Sequence, residues 1–169
     1  MIATRTYLEL TDPSVFRPRR VADLDVHVSK KADCPPELLK YLYAEVGRDY
    51  RWVDRLPWTE DQTRDYLADP AVSVWLLTVA SELAGYFELR RDANAEAPRS
   101  TEIAYFGLLG PFLGRGLGAH MLTEAVERAW ADGARRVWLH TCSFDHPGAI
   151  ANYQRRGFTV FKTEEYVVP

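Results

Sequence analysis

The spacing of apolar positions changes several times along the chain, and each change marks an element. Leu24, Val26 and Val28 alternate with polar neighbours, which predicts a strand from Leu24 to Val28; a weaker alternation predicts another from Arg5 to Leu10, with a Pro- and Arg-rich loop between them. After Pro35-Pro36 the period lengthens. Leu38, Leu39, Leu42, Tyr43 and Val46 then fall on one side of a helix that Gly47 stops. Thr59-Glu60-Asp61-Gln62 has the form of a capping box and opens a second helix, which Asp69-Pro70 ends.

Two apolar runs, Val72 to Ala80 and Leu83 to Leu89, meet across Ser81-Glu82 and predict a hairpin of central strands. The polar stretch from Arg91 to Ser100, with Asn94 and Pro98, predicts a longer turn before a strand from Thr101 to Leu109. A glycine turn follows. From Gly118 onward Met121, Leu122, Ala125, Val126, Ala129 and Trp130 recur at helical spacing, with Thr123, Glu124, Glu127 and Arg128 opposite. Arg136 to Cys142 reads as a strand, Pro147 to Arg156 as a short helix closed by Gly157, and Phe158 to Val168 as the last strand. This order predicts an α/β fold, one domain over residues 1–169, with a mixed, mostly antiparallel sheet and helices on both faces.

Composition narrows the function classes. With 169 residues, 47% hydrophobic and 27% charged, usage is that of an ordinary soluble domain, and no run is long enough to span a bilayer. The formal charge of -3 argues against broad capture of nucleic acid, and no membrane partner is expected; an anionic ligand needs a local device. Cys34 and Cys142 show no metal-ligand spacing, so free thiols in a reducing cytoplasm are expected, and no secretory signal is visible. Arg17, Arg19 and Arg20 read as a solvated loop.

The local device is Leu113-Gly114-Arg115-Gly116-Leu117-Gly118-Ala119, set between strand and helix. Glycines let a ligand approach the backbone, and the unpaired amides and dipole of the helix start favour a pyrophosphate, to which Arg115 adds charge. The Gly-Lys-Ser/Thr ending of a P-loop is absent, and the spacing is Gly-x-Gly-x-Gly rather than Gly-x-Gly-x-x-Gly. Taken alone, the turn serves equally as a tight strand-to-helix connection.

A second segment changes that balance. Residues 113–119 resemble the Arg/Gln-x-x-Gly-x-Gly/Ala signature of the GNAT superfamily of acyl-CoA-dependent N-acetyltransferases. Ala149-Ile150-Ala151-Asn152-Tyr153-Gln154-Arg155-Arg156-Gly157-Phe158 resembles that family's second signature, in the right order and at the right separation. The resemblance covers residues 101–158. It implies acetyl-CoA as acyl-donor cosubstrate, held by Phe106, Gly107 and Leu108 along the pantetheine arm and by Leu113, Gly114, Arg115, Gly116, Leu117, Gly118 and Ala119 at the pyrophosphate, with His146 and Asn152 near the arm. Two positions depart from the pattern. Leu113 stands where the family prefers Arg or Gln, leaving binding to backbone amides, and His146 stands where many members have Asn.

Acyl transfer to an amine needs an unprotonated nitrogen, and an alkyl ammonium has a pKa of about 10.4. Glu102, in Glu102-Ile103-Ala104-Tyr105-Phe106, is similar to the base of the histone-acetylating members, while Glu88 on the neighbouring strand would serve equally. Tyr153 matches the family's general acid for the departing thiolate. Phe106-Gly107-Leu108 resembles the segment whose amide polarises the thioester carbonyl, and Gly107 suggests a bulge that splays this strand from the next. His140, Cys142, Asp145 and His146 make no metal set, and slot lining or packing is expected of them.

The stretch from Asp49 to Trp58 is both aromatic and charged. The resemblance implies that it walls the acceptor pocket, with Tyr50, Trp52 and Trp58 flanking an amine and Asp49 or Asp54 attracting it; packing under a helix corner is the alternative for each ring. Only residues 158–169 follow Gly157, one strand short of the family's usual ending, so Arg5 to Leu10 is expected to join the sheet. The reaction implied is direct acetyl transfer to a primary amine of a small-molecule or protein acceptor, without a covalent enzyme intermediate. A non-catalytic acyl-CoA-binding sensor is the alternative, and a nucleotide-binding oxidoreductase a distant third. Dimers are common in the family, which leaves a homodimer open.

Overall fold

The computed structural model describes residues 1–23, 25–93 and 99–168. Its strands are β1 (Ile2–Leu10), β2 (Val26–Lys30), β3 (Val72–Val79), β4 (Glu82–Arg91), β5 (Ser100–Leu108), β6 (Arg136–Cys142) and β7 (Thr159–Val167). Its helices are α1 (Pro36–Gly47), α2 (Glu60–Ala68), α3 (Leu117–Ala131) and α4 (Ala149–Arg156). The strands form one sheet in the order β2-β3-β4-β5-β6-β1-β7, with β5 and β6 parallel and every other neighbouring pair antiparallel. No described helix is long and apolar enough to cross a membrane.

Local signals hold closely. In the capping box of α2, Thr59 Oγ1 accepts from the Gln62 amide at 3.1 Å while Gln62 Oε1 accepts from the Thr59 amide at 2.8 Å. The β3–β4 hairpin turns at Ala80-Ser81, with φ of 49° and 67°, one residue earlier than the sequence suggests; two left-handed residues match the twist of the strands they join. Strand β2 runs from Val26 to Lys30, later than expected, and Leu24 lies outside the described residues, as do Asn94 and Pro98 of the turn before β5.

The N-terminal strand does join the sheet, and it does so internally. Leu8 faces Leu139 and Leu10 faces Val137 across the β1–β6 ladder, while the other edge of β1 pairs with β7. Leu8 and Leu10 are fully enclosed, each contributing roughly 1.5–3 kcal/mol of burial, so β1 is a core strand and β7 takes the edge.

Helices cover both faces. Leu39, Leu42 and Val46 of α1 pack on Val74 and Tyr86 on one face. Met121, Leu122 and Val126 of α3 pack on Phe87, Leu89 and Ile103 on the other, where Tyr153 of α4 joins them.

Between β5 and β6 the sheet splits. Their parallel ladder spans only Ser100–Glu102 against Arg136–Trp138, so beyond Glu102 the β6-facing edge of β5 is open. On the other edge, Glu88 faces Tyr105 and Leu89 faces Ile103, which makes Ala104 the extra residue of a bulge. The bulge is therefore at Ala104, not at Gly107, which stays in regular register opposite Tyr86. Gly107 has another reason to lack a side chain: a Cβ there would lie 2.3 Å from Val46 Cγ1, so its absence lets α1 close onto the sheet.

Candidate active site

A cleft of about 310 Å³ occupies the split, within the range of small-molecule sites. Phe106, Gly107 and Leu108 line it from β5, and Leu113, Gly114, Gly118 and Ala119 line it from the glycine turn. Three turn residues stand off its wall. Leu117 is buried in the core, Arg115 is exposed with its guanidinium 5.6 Å from the Phe112 ring centre, and Gly116 precedes α3 with φ of 76°. Any contribution from Leu117 and Gly116 to ligand binding is through backbone. Among the described residues no side chain caps the first amides of α3, so the turn presents N–H groups and the positive end of the helix dipole to the cleft mouth.

Helix α4 supplies the opposite wall. Asn152 lies against the turn, its Nδ2 3.6 Å from where a Gly118 Cβ would sit, and its Oδ1 accepts from Arg156 at 3.4 Å. His146 Nδ1 accepts from the Gly148 amide at 3.0 Å, which leaves Nε2 as the donor nitrogen of the neutral ring. Tyr153 is 7% exposed, with its ring against Phe106 and Phe158. Burial foremost, and then the charge of Asp145, raises its phenol well above the ordinary tyrosine value. The group stays protonated at neutral pH, as a proton donor must.

The two candidate carboxylates have different fates. Glu88 is fully buried outside the cleft, with both oxygens 2.9 Å from Arg55 Nη1 and Oε1 accepting from the Tyr66 hydroxyl at 2.5 Å. Glu102 is 3% exposed, ion-paired with Arg90, and its Oε1 lies 3.9 Å from His140 Nε2. Glu102 borders an adjoining polar chamber of about 280 Å³ rather than the main cleft. His140 borders both spaces. Desolvation lowers its pKa, with Glu102 opposing, so the imidazole is neutral at neutral pH.

The aromatic segment divides in the same way. Tyr50 and Trp52 line the cleft, Tyr50 edge-on to His146 and Trp52 packed between Tyr43 and Tyr105. The Trp52 indole donates to Asp145 Oδ1 at 3.3 Å, and Asp145 Oδ2 accepts from the Cys142 amide at 2.8 Å and from Thr141. Asp145 thus ties the end of β6 to the roof of the cleft. Trp58 is apart, beside the chamber. Its ring, with Tyr66 and Tyr105, surrounds Arg55 at 4.9, 4.2 and 4.2 Å. Of the three rings expected around an acceptor amine, Trp58 is therefore taken by the protein's own guanidinium, while Tyr50 and Trp52 remain on the cleft wall. Nothing in the sequence separated Arg55 from Arg51 as the one that turns inward.

Cys34 and Cys142 are free, and burial pushes the Cys34 thiol up to about 11. No cluster suited to a metal ion occurs among the described residues.

The model of the Acetyltransferase (GNAT) family matches residues 39–158. The chain belongs to the GNAT family. Among curated relatives, this GNAT chain is 34% identical over 89 residues to the mycothiol acetyltransferase of Corynebacterium aurimucosum, covering 53% of the chain and 28% of the relative. It is 32% identical over 107 residues to that of Corynebacterium glutamicum (strain R), covering 63% and 34%. The chain thus spans about a third of the length of these relatives. Its fold is shared with a GCN5-related N-acetyltransferase from Sphaerobacter thermophilus at a TM-score of 0.68, 17% identity and coverage of 96% of this chain and 50% of that one. An aminoglycoside acetyltransferase from an uncultured soil metagenomic sample gives 0.67, 16%, 86% and 99%.

Proposed function

We propose that this GNAT chain transfers an acyl group directly from acyl-CoA to an amine, with acetyl-CoA as donor and a primary amine as acceptor. The observation that carries this reading is the split between β5 and β6, which joins the glycine turn to Tyr153 in one cleft. The donor site is the turn and the open edge of β5. Amides at the start of α3 hold the pyrophosphate, and the β5 edge past Glu102 offers backbone partners to the pantetheine amides. Leu113, 38% exposed at the turn, brings no charge, which leaves the phosphates to the backbone.

A backbone amide of β5 directed at the carbonyl oxygen stabilises the charge that develops as the amine adds, and Tyr153 protonates the departing sulfur. Glu102 supplies negative charge beside the acceptor side of the split, which favours loss of a proton from the amine. Glu88 is committed to Arg55 and takes no part in the reaction. Tyr50 and Trp52 wall the acceptor side, and Asp54, which borders cleft and chamber alike, attracts the ammonium.

Labelled acetyl-CoA incubated with an amine panel tests the reading. The panel holds an aminoglycoside, an amino thiol, a polyamine and a lysine peptide, because relatives and neighbours are named for mycothiol and for aminoglycosides. Label is expected on at least one amine. CoA binding without transfer to any of them would replace the enzyme reading with that of an acyl-CoA sensor.

A further inference from the structure

Glu102 is poorly placed to touch an acceptor. It is 3% exposed, its Oε2 is held by Arg90, and the main cleft wall begins beyond it at Ile103. One residue bridges the distance. Glu102 pairs with Trp138 at the last rung before the split, so two residues further along each strand Ala104 and His140 stand across the opening. His140 borders cleft and chamber, with Nε2 3.9 Å from Glu102 Oε1 and the ring 5.5 Å from that of Tyr7.

The two faces of the sheet separate the chemistry. Leu139 points into the α3 side of the core, where Tyr153 also lies, so His140 projects from the opposite face. A carbonyl lodged in the split has a phenol on one side and an imidazole on the other.

We infer that His140 is the proton acceptor for the attacking amine and that Glu102 is a positioning residue acting through it. This rests on the acyl-transfer reading above. Facing the imidazole are Glu102 from β5, Arg5 and Tyr7 from β1, Asp145 after β6 and Asp54 from the segment before α2. The carboxylates stabilise the imidazolium once it forms; with Nε2–H turned to Glu102, Nδ1 is the basic nitrogen. The ammonium gives one proton to His140, and the freed nitrogen forms its bond to the thioester carbon as the carbon–sulfur bond breaks. The second proton leaving the nitrogen passes through solvent to the Tyr153 phenolate, which has given its own proton to sulfur. The imidazolium then releases its proton to solvent, so the products are the amide, the thiol and one proton.

The test measures kcat/KM against pH with the best acceptor of the amine panel, for wild type, His140→Gln, His140→Asn and Glu102→Gln. His140→Gln is expected to lower kcat/KM about 100-fold, to abolish the inflection of the imidazole, and to leave CoA binding by calorimetry unchanged. Imidazole in the buffer should restore part of the rate of either His140 variant. Glu102→Gln removes a carboxylate that raises the His140 pKa, so its inflection moves to lower pH; titration of the His140 ring protons by NMR reads the same shift without any acceptor.

A His140→Gln enzyme within threefold of wild type, with its inflection in place, would overturn the inference. So would an imidazole titration indifferent to Glu102→Gln, which is the deciding measurement should neither His140 variant fold. If wild type binds CoA and acetylates no amine, the acyl-transfer reading itself falls and the proton acceptor with it.

Discussion

Arg55 Nη1 lies 2.9 Å from both carboxylate oxygens of Glu88, and the Glu88 side chain has no solvent exposure. Desolvation opposes the guanidinium charge, yet Glu88, Tyr66 and Tyr105 together offset it and the Arg55 pKa rises. Rings of Tyr66 and Tyr105 close over the cation. The pair joins the loop before α2 to β4 beneath the proposed acceptor wall.

Breaking the pair from one side leaves an uncompensated buried charge. Arg55→Met should therefore cost about 3–5 kcal/mol in urea unfolding at neutral pH. Arg55→Met with Glu88→Leu should recover most of that loss. A double variant no more stable than Arg55→Met would show that the aromatic stacking, not the charge, is what holds the loop.

Tyr86 is fully buried, and its hydroxyl has no hydrogen-bond partner among the described residues. Tyr86→Phe removes an unsatisfied polar group without opening a cavity, so stability should hold or rise by up to about 1 kcal/mol. Thermal unfolding at neutral pH checks this. A drop of more than about 1 kcal/mol would mean that the hydroxyl has a buried water as partner.

The close seat of α1 on β5 depends on Gly107. Gly107→Ala sets a methyl 2.3 Å from Val46 Cγ1, and the overpacking should destabilise by about 1–3 kcal/mol. Adding Val46→Ala makes room and should restore part of it, giving a favourable coupling in a double-mutant cycle. Strict additivity of the two substitutions would place the strain elsewhere.

Tyr153→Phe should lower kcat by about 100-fold or more while CoA affinity stays within about threefold. Because burial raises the phenol pKa, the acid form persists as pH rises past about 10, the ordinary tyrosine value. No alkaline loss of rate below that pH should trace to this group. Stopped-flow turnover beside CoA calorimetry separates the two effects; equal losses in both would make Tyr153 a binding residue.

Gly116 enters α3 with φ of 76°. Gly116→Val forces a β-branched residue into left-handed backbone, at about 1–2 kcal/mol, and should turn the first amides of α3 away from the phosphates. CoA affinity is expected to fall at least tenfold. Unchanged affinity would assign the phosphates to another part of the cleft.

How far the sequence was legible depends on the distance over which each feature is decided. The capping box of Thr59 and Gln62, the glycine turn and the periodicity of α3 were readable because backbone conformation, capping and amphipathic spacing act within a few residues. The two signatures also identified the family. The bulge was misplaced to Gly107 because a glycine in a strand reads alike whether it serves a bulge or a close helix, and only the packing of Val46 distinguishes them.

By itself, then, the sequence determined most of the elements and the family. Tertiary structure decided that β1 lies between β6 and β7, that β5 and β6 part after Glu102, and that Arg55 claims Glu88 and the aromatic rings. It also brought His140 within 3.9 Å of Glu102 across the split. These outcomes turn on which of several chemically equivalent partners meet when segments far apart in the chain pack. A carboxylate left free and one neutralised by a guanidinium are the same residue type until burial and distance tell them apart.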